Sequence, residues 1–348
     1  MGDLIQLTPL LAALAERWGA PCDLVAAAGA APRRVLAHLS FVGEIETLRS
    51  RRTPFPLSRE QRRLTAWLRR RPRGPVYAVE ELPKVFRLLA WGGVDPAQTL
   101  SMRELPRGDL EHAVDYFHRL GDEVPLAYRE APPRPVECHG PPRLEVTSEE
   151  LEDCRSWLGR RGWAGEPLVV LQALTRRRKR GRWPEDRWRA LVAAVLADLP
   201  EARILLVGSP SEAGDVARLA AAIGDRRVEV AASDLPLRRL FALLALAHSC
   251  VSLDTGPAHA AATLGCPLVV VVGMADPRRN HPLAPPGNVL MATAVAEEEG
   301  WPPSRAEWEV WHEAAAVPTA PVIAAWRTLP PRATLLRPAF TADGRGPG

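Results

Sequence analysis

Apolar and polar positions follow two regimes along the 348 residues. In the second half, short and almost wholly apolar runs recur at close to regular intervals. They are Pro167 to Leu171 (PLVVL), Arg203 to Val207 (RILLV), Val228 to Val230, Cys250 to Leu253 and Leu268 to Val272. A strand that is apolar at every position is one buried on both faces, as in a parallel sheet. Between these runs apolar residues return at helical spacing, which predicts helices from Pro184 to about Leu199, Glu212 to Ala222, Pro236 to Ala247 and Pro257 to Leu264. Pro184 stands where a first helical residue belongs. Strands alternating with helices at this spacing form βαβ units with right-handed crossovers, so the second half is predicted to be a doubly wound α/β domain.

The first half repeats the alternation less cleanly. Helices are expected over Leu4 to Trp18, Arg33 to Leu39, Arg59 to Arg71 and Pro83 to Ala90, and strands over Asp23 to Ala26, Glu46 to Leu48 and Val76 to Val79. The sequence opens at Gly2-Asp3 and a helix, with no strand before it. The densest proline cluster, Ala131 to Pro142 (APPRPVECHGPP), can propagate neither a helix nor a sheet ladder and reads as an interdomain linker. Beyond it a helix is predicted from Thr147 to Gly162, with Thr147 and Glu150 spaced as a capping box. The expected organisation is an N-terminal domain over 1–135, a C-terminal domain over 136–318, and a helix and tail over 319–348 returning to the N-terminal domain.

Composition narrows the class. Apolar residues make up 47% and charged residues 25%, the balance of a soluble globular protein, which excludes disorder and small disulfide scaffolds. The longest unbroken apolar run, Pro267 to Ala275, falls short of the roughly 20 residues that span a bilayer. No positively charged segment precedes the apolar start, so no secretory leader is expected, and Gln6 stands where myristoylation wants Ser or Thr. The five cysteines are scattered and lack CxxC spacing, which suits a reducing cytosol without structural zinc. No HxxxH, HxH or carboxylate cluster of metal-site type occurs, so no metal is expected. Net charge is +4, and Lys84 and Lys179 are the only lysines among 45 basic residues. The skew to arginine fits a GC-rich genome and also supplies forked donors for phosphate or carboxylate.

Two places carry chemistry. Asp254-Thr255-Gly256-Pro257-Ala258-His259 lies between a predicted buried strand and a helix. Gly256 permits a tight turn, Pro257 pre-sets the first helical turn, and the helix N–H groups point at the strand's carboxyl end. Such a terminus binds anions at the edge where open α/β sheets hold ligands. Thr255 would add a hydroxyl, and His259 would donate to a phosphate or be held by Asp254. An ordinary strand-to-helix turn capped by Asp254 has equal standing on local pattern alone. The second place is the loop Thr175 to Trp183 (TRRRKRGRW), in which six of the seven residues from 176 to 182 are basic. A phosphate clamp, a nucleic-acid patch and a solvated loop compete here. The clamp is preferred because the loop follows a strand of the same sheet, and because a nucleic-acid site would interleave aromatics.

These residues, in order, resemble glycosyltransferase family 9, the family of the ADP-heptose:lipopolysaccharide heptosyltransferases. The matching positions are Trp183-Pro184 with Trp188, Gly208 with Glu212, Asp254-Thr255-Gly256 with His259, and Gly273 with Asp276-Pro277 and Pro282. The segment Gly2 to Leu14 (GDLIQLTPLLAAL) resembles the family's opening GD…TP…AL signature. The resemblance implies a GT-B fold, two Rossmann-like domains facing across a cleft with the donor in the C-terminal one. It implies a nucleotide diphosphate resting on Thr255, Gly256 and the basic loop, with Thr175, Lys179, Arg180 and Arg182 as ligands, and Asp254 and His259 beside them. Glu212 would accept from the ribose hydroxyls, Leu235 would flank the base, and Asp3 would be the general base that deprotonates the acceptor hydroxyl. No cofactor or metal is implied.

Two departures stand out. Gly181 occupies the position of the family's usual lysine two residues before Trp-Pro, so a basic residue of the longer loop must substitute. In the family an apolar run precedes the Gly-Asp and forms a central strand. The expectation is therefore that translation starts upstream of Met1 or that the N-terminal domain is loosened, with this first strand absent. The implied activity is inverting transfer of a sugar, heptose above all, from a nucleotide-diphosphate donor (ADP-heptose) to a hydroxyl of a cell-envelope glycan such as lipopolysaccharide core. The alternative is a non-catalytic GT-B sugar-nucleotide or glycan binder or partner subunit, and a GT-B epimerase is a weaker third. The expected partners are the donor and a glycan or lipid-linked acceptor, with no nucleic acid. The expected location is cytoplasmic. Peripheral contact with the inner-membrane surface is carried by the arginine-rich helix Arg59 to Arg71, whose Leu64, Trp67 and Leu68 share one face; plain packing of that face on the sheet is the competing reading.

Overall fold

The computed structural model describes residues 1–49, 58–71, 74–80, 83–131, 133–175, 182–285, 287–294 and 300–332. The chain divides into two compact units. One comprises Met1–Glu145 with Ala275–His281 and Pro302–Glu309; the other comprises Val146–Met274 with Pro282–Trp301 and Val310–Gly348.

The C-terminal unit is built on a six-stranded parallel sheet. In chain order its strands are β5 (Leu168–Gln172), β6 (Arg203–Val207), β7 (Val228–Ala231), β8 (Ser249–Leu253), β9 (Leu268–Val271) and β10 (Val289–Ala292), arranged in space as β10-β9-β8-β5-β6-β7. Every residue of β5, β8 and β9 is buried, which is why these strands carry no charged residue. Alternate positions divide between the two faces. Val169, Leu171, Ile204, Leu206, Val251, Leu253, Val269 and Val271 share one core with Trp188 and Leu191 of α8 (Glu185–Asp198), Val216 of α9 (Ala213–Ile223) and Val322 and Trp326 of α14 (Thr319–Thr328). Helices α7 (Ser148–Arg160), α10 (Leu237–Leu246) and α11 (Gly256–Thr263) pack with one another as a second group. The Thr147/Glu150 capping box at α7 is formed, and Arg238 of α10 grips the same Glu150 at 2.6–2.7 Å. Pro184 is the N-cap of α8 rather than its first helical residue.

The expected return of residues 319–348 to the N-terminal half does not describe α14. That helix packs on α8, β9 and β10, burying Val322 completely, and the Trp326 indole donates to Ser249 Oγ at 3.0 Å. Its apolar stripe completes the sheet's own cover, which outweighs any reach elsewhere. Residues 333–348 lie outside the described ones.

The N-terminal unit holds α1 (Gly2–Gln6), α2 (Thr8–Trp18), β1 (Cys22–Ala27), α3 (Pro32–Val35), β2 (Val42–Leu48), α4 (Arg59–Arg69), β3 (Val76–Ala78), α5 (Pro83–Trp91), β4 (Thr99–Ser101) and α6 (Ala113–Asp122). Its four described strands form two separate parallel pairs, β1-β2 and β3-β4. The single helix expected over Leu4 to Trp18 is two, with Leu7 between them and Pro9 entering the first turn of the second. On α4 the apolar side is already occupied: Leu64 and Trp67 are buried with Leu48 and Leu88, and the Trp67 indole donates to Glu44 at 3.1 Å. That is the packing reading of this helix. Its exposed face carries Arg59, Arg62, Arg63 and Arg69. Among the described residues, no helix is long and apolar enough to cross a membrane.

The proline run at 131–142 differs from the expected linker. Cys138 is buried, its amide donates to Asp122 Oδ1 at 2.7 Å, and a Cβ placed on Gly121 would stand 2.6 Å from its sulfur. Arg17, also buried, donates to the carbonyls of Asp122, Glu123 and Val136 and bolts α2 to the end of α6 and to this run. The run therefore belongs to the N-terminal unit, and the second unit begins at Val146. Later segments of the chain contribute too: α12 (Pro277–Asn280) and most of α13 (Arg305–Trp311) lie in stretches that join the N-terminal unit.

Candidate functional site

In the C-terminal sheet the order of connection reverses between β5 and β8. The chain leaves β5 toward β6 on one side, and β8 returns on the other side with β9 and β10 beyond it. The carboxyl ends of the two strands at such a reversal open a crevice, because their outgoing loops diverge to opposite faces. The segments leaving these two strands are the loop that begins at Ala173 and the turn Asp254-Thr255-Gly256, which are the two places the sequence singled out.

The turn after β8 leads straight into α11. Thr255 is its N-cap, with extended backbone, yet among the described residues no side-chain cap hydrogen bond is formed. The Thr255 hydroxyl donates instead to the Leu253 carbonyl at 3.1 Å and lies 3.4 Å from Ser252 Oγ. An uncapped helix terminus preceded by a hydroxyl has backbone donors and a positive dipole end left for an anionic ligand. Asp254, Thr255 and Gly256 are half-buried, and His259, one turn in, is buried at 7% exposure. Both Asp254 and His259 are engaged by neighbours.

Across the switch point, Thr175 is half-buried at the start of the basic loop. Lys179 and Arg180 lie outside the described residues. Arg182 is described: its guanidinium pairs with Asp215 of α9 at 3.0 Å, and Asp215 is shared with Arg218. A role on a phosphate would require Arg182 to leave that pair. Trp183 and Trp188 pack edge to face at 4.8 Å, and the Trp183 indole donates to the Val317 carbonyl at 2.8 Å, so both aromatic matches anchor the base of the loop.

Glu212 sits after β6, where the chain enters α9. Its Oε2 accepts from the Ser209 amide at 2.8 Å and the Ser209 hydroxyl at 2.6 Å, a reciprocal capping box. The carboxylate is thus fixed in position at the strand's carboxyl end by its own turn. Gly208 ahead of it is a close approach: a Cβ there would meet Val216 Cγ2 at 2.7 Å, so glycine lets α9 lie against the strand. Leu235, expected beside the base, is buried at 8% exposure just before α10. Asp3 lies in the N-terminal unit on the exposed side of α1.

Sequence reasoning missed a polar pair at the crevice floor. Gln172 ends β5 and Ser252 stands beside it in register on β8; both are buried. Gln172 donates to the Leu174 carbonyl at 2.9 Å and Ser252 to the Leu253 carbonyl at 2.7 Å, so each braces the loop leaving its strand. The available signal was their polarity within otherwise apolar runs. Asp276, one of the matching positions, has a wholly buried carboxylate that takes a two-point ion pair from Arg278 while capping α12. Among the described residues, no group of three or more His, Cys, Asp or Glu is placed to hold a metal ion.

The model of glycosyltransferase family 9 (heptosyltransferase) matches residues 106–300. Lipopolysaccharide heptosyltransferase 1 of Escherichia coli K12 is 40% identical over 114 residues, which is 33% of this chain. The matched segment spans about a third (34%) of that relative's length. Among solved structures, a glycosyl transferase family 9 protein from Veillonella parvula aligns over 94% of both chains with TM-score 0.73 and 16% identity. The E. coli ADP-heptose lps heptosyltransferase II aligns over 94% of this chain and 95% of its own with TM-score 0.69 and 19% identity. An E. coli heptosyltransferase solved with ADP covers 84% of this chain and 89% of its own, with TM-score 0.61 and 22% identity. These likenesses give the fold class, α/β with Rossmann-like units of GT-B type. With a family match across more than half its length, a range that takes in the turns after β5 and β8, this chain belongs to glycosyltransferase family 9.

Proposed function

We propose that the protein is an inverting glycosyltransferase that moves a sugar, heptose foremost, from a nucleotide-diphosphate donor to a hydroxyl of a cell-envelope glycan such as lipopolysaccharide core. The observation that carries this reading is the uncapped N-terminus of α11 with Thr255 at the β5–β8 switch point. A diphosphate is the ligand such a terminus favours. ADP-heptose is the donor of choice because relatives of similar fold are an ADP-heptose transferase and one solved with ADP.

In the proposed step the acceptor hydroxyl attacks the anomeric carbon as the carbon–oxygen bond to the diphosphate breaks, inverting that centre. Asp3, exposed on α1, takes the hydroxyl proton as general base. The α11 terminus, Thr255 and the basic loop, with Lys179 and Arg180, stabilise the charge on the leaving diphosphate. Glu212, held by its capping box, presents a carboxylate to the ribose. The reaction belongs on the cytoplasmic side, where nucleotide sugars are made, and the exposed arginines of α4 would face an anionic leaflet there.

The test is nucleotide release from ADP-heptose with and without a lipid A–core acceptor, in wild type and Asp3→Asn. Acceptor-dependent release that is lost in the variant, with ADP affinity unchanged, supports the assignment. Wild-type protein that binds ADP yet releases nothing with any acceptor makes it a binding protein instead.

A further inference from the structure

Two arginines from distant parts of the chain meet in the N-terminal unit. Arg107 donates through Nε to the Glu111 carbonyl at 3.0 Å and through Nη2 to the Arg279 carbonyl at 2.6 Å. Arg279 reciprocates through Nη1 to the carbonyls of Gly108 (3.0 Å) and Asp109. Each guanidinium thus grips the other's backbone. Both are half-buried.

Acids act on their charges only from beyond contact distance. Among the described residues, neither has a carboxylate oxygen within ion-pair distance, because each nearby acid is committed elsewhere. Glu111 takes both prongs of Arg119 and the Gly108 amide. Asp276 is paired with Arg278, Glu309 with Arg305, and Asp109 accepts from the Arg305 amide. Burial comes first for both, followed by Arg279 acting on Arg107 and Arg305 acting on Arg279; against the upward pull of Glu111 on Arg107 and of Asp109, Asp276 and Glu309 on Arg279, both guanidinium groups stay below the ordinary arginine range, Arg107 at about 10. The carbonyl bonds also leave donors over: Arg107 Nη1 and Arg279 Nε and Nη2 have no acceptor among the described residues. Two adjacent forks with spare N–H groups, fixed by backbone contacts and short of counter-charge, are the arrangement that recognises a multidentate oxyanion.

We propose that Arg107 and Arg279 form a receptor for an oxyanion, a phosphate or a carboxylate, borne by the acceptor substrate. The acceptor assignment rests on the transferase reading; the oxyanion receptor itself does not. Segment 275–281, which carries Arg279, follows β9 by a few residues of chain and belongs to the N-terminal unit.

The first test uses the full chain with ADP bound and inorganic phosphate as the probe. Phosphate raises the melting temperature of the wild type saturably, and Arg107→Gln and Arg279→Gln each lose that increment whatever their own baseline. A role confined to gripping carbonyls predicts a lower baseline with the increment intact, and that result overturns the proposal, as does a wild type that phosphate leaves unmoved. Arg279→Lys, which keeps the charge without the fork, serves if a glutamine variant does not fold, and it too should show a reduced increment. The second test measures transfer to native, phosphatase-treated and carboxyl-reduced acceptors. With the anion present, the glutamine variants raise KM roughly tenfold with kcat little changed; the acceptor lacking the recognised anion shows the raised KM already in wild type, which tells phosphate from carboxylate. An equal rise for all acceptors overturns the proposal. Absence of transfer to every acceptor overturns the transferase reading and the acceptor assignment with it, while the phosphate arm still decides the receptor.

Discussion

His112 gives a sharp prediction about pH. It is the N-cap of α6 and is buried at 6% exposure. Its Nδ1 accepts from the Val114 amide at 3.2 Å, which leaves Nε2 to donate to the His281 carbonyl at 3.0 Å. That is a neutral imidazole with both nitrogens used, assigned from its partners. A second proton on Nδ1 would confront the Val114 N–H and break the cap. Burial, and then the His281 ring tilted against it with centroids 4.5 Å apart, with a smaller contribution from Arg107, push its pKa down from 6.5 to about 4, against upward pulls from the His281 carbonyl and Asp115. The folded value lies below the unfolded one, so the unfolded chain takes up the proton first as pH falls. The stabilisation is therefore intact above about pH 6.5 and is lost progressively down to about pH 4. At about pH 5 the two values imply a loss of about 2 kcal/mol relative to neutrality. His112→Asn preserves an acceptor for the Val114 amide and removes the titration. Urea unfolding of the N-terminal transition should show the wild type losing about 2 kcal/mol more than the variant between about pH 7.5 and 5. Equal losses would refute the assignment of a buried neutral imidazole.

Two further outcomes are expected. Gly208→Ala forces a Cβ to within 2.7 Å of Val216 Cγ2 and should cost about 1–3 kcal/mol in urea unfolding, with α9 displaced; a neutral result would mean the helix yields freely. Glu212→Ala removes the capping box and should cost about 1 kcal/mol, and by titration calorimetry it should also weaken ADP binding roughly tenfold. Unchanged ADP affinity alongside the stability loss would leave Glu212 a cap and nothing more.

Residues 147–271 were the most legible part of the chain. Their strands and helices agree with the sequence expectation within one or two residues, because each signal there is local: apolar runs for strands buried on both faces, helical spacing between them, and a capping box at Thr147/Glu150. The turn at Asp254 to Gly256 was legible for the same reason, as glycine and proline act on the backbone next to them. The N-terminal half was harder to read. β4 and α6 were missed, β2 is longer than its expected core, and α3 stops at Val35 before His38 takes a positive φ of 70°. β1 alternates half-buried with exposed positions and β3 and β4 have three residues each, so the pattern that marks a buried strand is weak.

The sequence by itself determined the strand–helix alternation, the helix-terminal turn that suits an anion, and the ordered residues of the family match. Those are properties of neighbouring residues and of period, and they need no knowledge of what packs on what. Only the tertiary structure decided that β8 lies beside β5, which makes their loops one crevice, and that β10 and α14 complete this sheet. It alone packed the proline run against α6 through Cys138 and Arg17. It alone joined Arg107 to Arg279, 172 residues apart. Pairing and burial between distant segments are settled by which surfaces can be covered together, and the linear spacing of residues does not encode that choice.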